Sequence, residues 1–296
     1  FHPDVAATLF NIGQTHHQKA ELNFALEYYN MFITITGEIL GWFHNDVAAV
    51  FSLLGQVHHQ RGNYNKALHS YEQALAIDKT TYGQYSRKVA ITLNKIGGLH
   101  YDNGKFDEAL HVYEKGLHIE TKILEPNNSN TFITVKNIAE IHTCKADYGK
   151  ALDFYKRVLC LQTENLGYDH PDIVPTLDNI GNVLHQNGTH HEALQVYQES
   201  LRLRLKANTK DHFESDTSKK FDLETQLSEF LDATKKFQGS NDHRPTFTLF
   251  NIAQIYYEIG DLELAMKYFN WTLQFEKASF EESDENITIT LLTLFL

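Results

Sequence analysis

The sequence predicts an all-α fold of stacked helix-turn-helix hairpins, and three observations predict it. The triplet Asn179-Ile180-Gly181 is preceded by Asn137-Ile138-Ala139, Lys95-Ile96-Gly97, Leu53-Leu54-Gly55 and Asn11-Ile12-Gly13, each start 42 residues from the next. An Ala-Leu pair recurs in phase at Ala25-Leu26, Ala67-Leu68, Ala109-Leu110, Ala151-Leu152 and Ala193-Leu194. Four residues after each Ala stands an aromatic: Tyr29, Tyr71, Tyr113, Tyr155 and Tyr197. A sixth copy, Asn251-Ile252-Ala253 with Ala265-Met266 and Phe269, starts 72 residues after the fifth, one period plus an insertion of 30. A single hairpin cannot bury both of its faces, and copies at a fixed period supply its neighbours.

The fifth copy shows why each segment is helical. Ile173, Leu177, Ile180 and Leu184 fall at i, i+4, i+7 and i+11, one apolar stripe at helical period. Pro171 suits a helix start, while Pro175 implies either a start nearer Val174 or one lost early hydrogen bond. Asn187-Gly188 ends the first helix, because glycine accepts the left-handed conformation of a helix C-terminus. Ala193, Leu194, Tyr197 and Leu201 form the face of the second helix. Gly181 and Ala193 are small, which predicts close helix-on-helix approach. Applied to all copies, the pattern predicts helix pairs at about 4–18/22–39, 46–60/64–80, 88–102/106–123, 130–144/148–165, 172–186/190–206 and 245–258/262–279. The turns of repeats one and four carry Ala20 and Ala146 where the others have glycine, so those helix ends should be less sharply defined.

Residues 1–206 thus hold repeats one to five, and residues 207–244 an insertion. Within it, 207–220 is polar and expected to be mobile, and Phe221, Leu223, Leu227, Phe230, Leu231 and Phe237 suggest an amphipathic helix at 221–237. Repeat six occupies 245–280. Residues 281–296 read as the start of a truncated seventh repeat, so the chain is expected to be a piece of a longer array.

A small residue, eleven others, Ala, three others and an aromatic resembles the tetratricopeptide repeat, whose usual period is 34. The longer period, with Leu-Gly-Tyr-Asp-His-Pro-Asp at 166–172, resembles the kinesin light chain subclass. The linker is echoed at Phe1-His2-Pro3-Asp4 and at Leu40-Gly41 with His44-Asn45-Asp46, and kinesin light chains also carry an insertion between repeats five and six. The resemblance implies a right-handed superhelical solenoid that binds protein or peptide segments, motor or cargo proteins among them, in its concave groove. It implies a cytoplasmic adaptor. The alternative is a sensor array beside an enzymatic domain outside this sequence.

The net charge is −12, with no basic stripe, which argues against nucleic acid as a partner. The longest apolar run, 287–296, is about half of the roughly 20 residues a spanning helix needs, so no membrane insertion is expected. Cys144 and Cys160 are expected to be buried free thiols. His16, His58, His100 and His142 occupy one repeat position. Stacked helices lie roughly 8–10 Å apart, so a column of one histidine per repeat cannot close on one ion; no metal ligand and no cofactor is expected. The sequence has no nucleophile elbow, phosphate loop or His-Glu-x-x-His motif, so no catalytic residue is assigned.

First helices line the groove of this family, so the residues flanking each packed stripe are the candidate peptide-binding set. They are Asn11, Gln14, Gln56, His59, Asn94, Lys95, Tyr101, Lys136, Asn137, Asp178, Asn179, Asn182 and Asn251. Asn is a poor helix former, yet it recurs at 11, 137, 179 and 251. Its amide can bond both N–H and C=O of an extended peptide. The expected ligand mixes apolar with acidic-to-neutral residues and centres on repeats three to five.

Overall fold

The computed structural model describes residues 3–123, 129–209, 227–228, 231 and 244–279. Among these, all regular structure is helical, and the helices start and end within about three residues of the ranges read from the sequence. The chain forms two compact units, Phe1–Lys145 and Ala146–Leu296.

In the first unit, α1 (Pro3–Gln18) pairs with α2 (Leu22–Leu40), α3 (Asn45–Gln60) with α4 (Tyr64–Tyr82), and α5 (Arg87–Asp102) with α6 (Phe106–Ile123); α7 (Ser129–Cys144) completes it. Each second helix also packs on the next first helix: α2 on α3, α4 on α5, α6 on α7. In the second unit α8 (Tyr148–Leu166) packs on α9 (Val174–Gln186), α9 pairs with α10 (His190–Thr209), and α10 packs on α11 (Arg244–Glu258), which pairs with α12 (Leu262–Ser279). A 3-10 turn at Pro171–Ile173 precedes α9, so the regular helix begins at Val174, with Pro175 in its first turn, where no hydrogen bond is lost.

The recurring Gly and Tyr are two halves of one packing unit. A Cβ placed on Gly13, Gly55, Gly97 or Gly181 would come 2.8, 2.5, 2.8 and 2.7 Å from the ring of Tyr29, Tyr71, Tyr113 and Tyr197 respectively. The glycine is therefore there to seat the tyrosine of the partner helix, and those rings are buried. The Ala of each second helix, from Ala25 to Ala193, is fully buried at the same crossing.

Two findings concern turns. Ala20 and Ala146 adopt φ of 57° and 56°, the left-handed conformation that Gly62, Gly104, Gly188 and Gly260 adopt in the other repeats. Helices α1 and α7 end in the same phase as α3 and α5, so the expected blurring of these ends does not occur. At Ala20 two backbone bonds fix the turn, Ala20 N–H to His17 O and Glu21 N–H to His16 O, and outweigh the alanine's conformational cost. The linkers echo one another for a physical reason as well. Gly41 and Gly167 end α2 and α8 at φ of 94° and 84°. His44 then caps α3 by accepting the Asp46 N–H through Nδ1, and His170 caps the 3-10 turn by accepting the Asp172 N–H in the same way.

The helix expected at 221–237 lies outside the described residues except for Leu227, Ser228 and Leu231, which are helical, with both leucines buried. Of the segment expected to be mobile, Ala207, Asn208 and Thr209 belong to α10, and the rest lies outside the described residues, as does 281–296.

Candidate functional site

The flank of each first helix divides into two sets of residues, one turned into the hairpin interfaces and one exposed. The interface set is polar and repeats. In the first unit Thr92 donates to Asp78 at 2.8 Å, and Lys95 Nζ donates to Ser52 at 2.6 Å. One period later Asn94 donates to Glu120 at 3.1 Å and to Thr134 at 2.6 Å. In the second unit Thr176 donates to Gln162 at 2.7 Å. Asp178 accepts from Ser200 at 2.5 Å, from Thr248 at 3.1 Å and from Arg204. The nodes at Asp78, Glu120 and Asp178 each join a first helix, its partner helix and the next first helix, the node at Gln162 joins α8 to α9, and Asp78, Glu120, Gln162 and Arg204 are all buried. Burial keeps the Glu120 carboxyl protonated to higher pH than usual, with hydrogen bonds from Thr134 and Asn94 opposing it. It also lowers the Lys95 ammonium, partly offset by the charge of Asp78.

These nodes remove several residues from the expected peptide-binding set. Asp178 is buried and its carboxylate is held by three partners. Asn94 spends its amide N–H groups on Glu120 and Thr134. Asn137 donates to the Tyr113 hydroxyl at 3.1 Å, tying α7 to α6. Asn251 is buried, and its amide nitrogen makes no hydrogen bond; burial drives up the pKa of the neighbouring Tyr197 hydroxyl. Of the recurring Asn, Asn137 thus fastens one hairpin to the previous one, while Asn11 is exposed and Asn179 partly buried. The sequence signal was present in Thr92, Thr134 and Thr176, which recur at 42 residues.

A second ladder joins first-helix ends. His17 Nε2 meets Gln60 at 3.1 Å, His59 Nε2 meets Asp102 at 2.8 Å, Tyr101 Oη meets Cys144 Sγ at 3.5 Å, and His185 Nε2 meets Glu258 at 2.8 Å. His59 and Tyr101 are therefore interhelical contacts too. Both cysteines are exposed, against expectation: Cys144 ends α7 beside Tyr101, and Cys160 lies on the outer flank of α8 near Glu164. In the histidine column, burial and then the charges of Lys66 and Arg61 lower the pKa of His58, and burial lowers that of His100. His16 pairs with Glu21. Among the described residues, one group brings three metal-ligating side chains together, His185, His190 and Glu258; it is not the column, and the sequence pattern did not anticipate it.

A stripe at i, i+4, i+7 and i+11 runs from fully exposed on α1 to partly buried on α5, and it includes Lys95 and Asn137, which also bond at the interfaces. On α1 it is Ala7, Asn11, Gln14 and Gln18, all exposed. On α3 it includes exposed Ala49 and partly buried Gln56; on α5, partly buried Ile91, Lys95 and Gly98. On α7 it includes Ile133, 48% exposed, with partly buried Asn137 and Glu140. Lys136 beside it pairs with Glu140 at 2.6 Å. Between α3 and α5 the stripe opens into a cavity of about 310 Å3 lined by Ala49, Ser52 and Ile91 and by charges of both signs, Lys88 and Lys95 with Asp46 and Asp78. In the second unit Asn179 and Asn182 are partly buried on α9, and Phe247 is exposed on α11.

The family model of the tetratricopeptide repeat matches residues 46–122, 88–161 and 131–206, more than half of the chain, and a second model of the same repeat matches 248–270. The chain belongs to the tetratricopeptide repeat family. No curated protein matches its sequence. Among solved structures, BtubC (BKLC) from P. vanneervenii is similar at 20% identity with a TM-score of 0.62, covering 74% of this chain and 87% of that one. A Podosopora anserina protein described as a putative kinesin light chain with nearly identical TPR-like repeats is similar at 18% identity and a TM-score of 0.62, covering 71% and 99%. The apo form of RapI is similar at 18% identity and a TM-score of 0.60, covering 92% and 98%. The fold class is therefore the all-α solenoid of tetratricopeptide hairpins. No helix among the described residues is long and apolar enough to cross a membrane.

Proposed function

We propose that this tetratricopeptide array is a protein–protein interaction scaffold, and that the exposed first-helix stripe of residues 1–145 holds an extended peptide segment of a protein partner. The observation that supports this is the row Ala49, Ile91 and Ile133. It sets apolar side chains in register on successive first helices, with Gln56 and Lys95 beside them and Ala49 and Ile91 lining the cavity between α3 and α5. A row spaced by interhelical distances, roughly 8–10 Å, suits side chains three residues apart in an extended peptide of polyproline II form, whose threefold period returns every third side chain to one face about 9 Å further on. Apolar pockets with flanking amides and a lysine favour a ligand of mixed apolar and acidic-to-neutral character. With Asn94 and Asn137 committed to the interfaces, the apolar row rather than the Asn amides carries most of the affinity.

The finer reading is a cytoplasmic adaptor of the kinesin light chain kind, connecting a cargo or motor protein to other factors. The linker sequence and the place of the insertion support it. No catalytic step is assigned to the repeats.

Peptides selected from a random displayed library on the intact chain, then titrated against Ile91→Asp/Ile133→Asp, test the site. Burial of an Ile is worth about 1.5–3 kcal/mol, so affinity should fall by at least about tenfold, with circular dichroism unchanged because these side chains touch solvent. Equal affinities would overturn the assignment of this face.

A further inference from the structure

We propose that His185, His190 and Glu258 form a divalent-cation site of the zinc class that staples repeat six to repeat five. The donor atoms lie within 4.8 Å of one another. His185 Nε2 is 2.8 Å, and His190 Nδ1 3.7 Å, from Glu258 Oε2. Tetrahedral zinc with bonds of about 2.0–2.1 Å holds its ligand atoms roughly 3.3 Å apart, so shifts of about an ångström at the tips of the side chains close the set. Two imidazoles and a carboxylate are a zinc ligand set that leaves a fourth position to water, and the exposed Glu258 side chain leaves that position open.

Comparison among the repeats separates this cluster from ordinary packing. The pair His185–Glu258 repeats the pair His59–Asp102. At the next helix start the other five repeats carry Leu22, Tyr64, Phe106, Tyr148 and Leu262; only repeat five carries a histidine. Tyr64 lies 5.9 Å from the His59 ring and Phe106 5.7 Å from the Tyr101 ring, purely as packing. His190 takes the same place, 5.7 Å from the His185 ring, but turns a ligand nitrogen inward. That Nδ1 is buried and makes no hydrogen bond. A buried nitrogen without a partner is costly, and a bound cation would satisfy it. Because α9 and α10 precede the insertion and α11 follows it, the ion would tie together segments that are far apart in sequence.

The test uses the full chain freed of metal by chelator, titrated with ZnCl2 and separately with MgCl2 by calorimetry and thermal melting. CoCl2 substitution reports tetrahedral coordination by visible absorption. His190→Tyr installs the residue found at this place in two other repeats, and His59→Tyr is the off-site control for the remaining histidines. At zinc about a hundredfold above its dissociation constant the wild type and His59→Tyr should melt about 5 °C higher or more. Magnesium should do nothing, and His190→Tyr should bind zinc at least about tenfold more weakly. If His190→Tyr loses helical signal, Glu258→Gln, at an exposed carboxylate, carries the same comparison. A wild type that gains no stability from zinc, or a gain equal in the variant, overturns the site.

Discussion

Glu120 sits fully buried where α5, α6 and α7 meet, with Asn94 donating to one carboxylate oxygen. Burial raises its pKa in the folded protein. The folded state then binds a proton that the unfolded chain has already released, so the contribution of Glu120 to stability is full below the ordinary carboxylate range and is lost as pH climbs through the folded value. In the next repeat the equivalent position is Gln162, which bonds Thr176 without a charge. Glu120→Gln should therefore raise the melting temperature at about pH 7.5 and change it little at about pH 4, read by circular dichroism. An equal change at both values would mean that protonation plays no part. Gly55 makes a second residue-scale case, since an added methyl would stand 2.5 Å from the Tyr71 ring. Gly55→Ala should cost about 1–3 kcal/mol in denaturant melts, as overpacking does, even though Ala is the better helix former.

At the scale of the element, the hairpin turns separate chain chemistry from packing. Ala20 and Ala146 hold φ of 57° and 56° only because the hairpins around them demand it. The left-handed conformation costs an L-residue about 1–2 kcal/mol, against about 0.5–1 kcal/mol of extra entropy lost by glycine. Ala20→Gly and Ala146→Gly should each stabilise by up to about 1 kcal/mol. Chemical denaturation checks this, and destabilisation by either would show that the alanine methyl has a packing role. The polar nodes belong to the same scale. Apolar periodicity located the helices to within a few residues, but Asp78, Glu120 and Arg204 lie on second helices among charged neighbours and gave no apolar signal.

For the whole molecule, an array held by neighbour interfaces should respond locally. Hydrogen exchange in Gly55→Ala should quicken in α2 to α5, which contact the altered hairpin directly or through one interface, and stay unchanged in α9 to α12. Uniform acceleration would point to a single cooperative core instead. Among the described residues, most buried charges sit in the nodes, where Asp178 and Arg204 face one another with side chains 8% exposed each.

The sequence by itself determined the helices of the six repeats, the repeat phase and the family, because 42-residue recurrence and helical stripes are properties of one chain read along its length. It also placed Ala49, Ile91 and Ile133 in register, though their exposure was not legible. Tertiary structure alone decided which polar residues are interior. On a helix one residue is a rotation of about 100°, so Asn94 and Lys95, adjacent in sequence, bond in different directions, one forward to Thr134 and the other back to Ser52. The same holds for His185, His190 and Glu258. The first two are five residues apart and the third lies beyond an insertion, and only the packing of α11 against α9 and α10 brings its carboxylate to the two imidazoles.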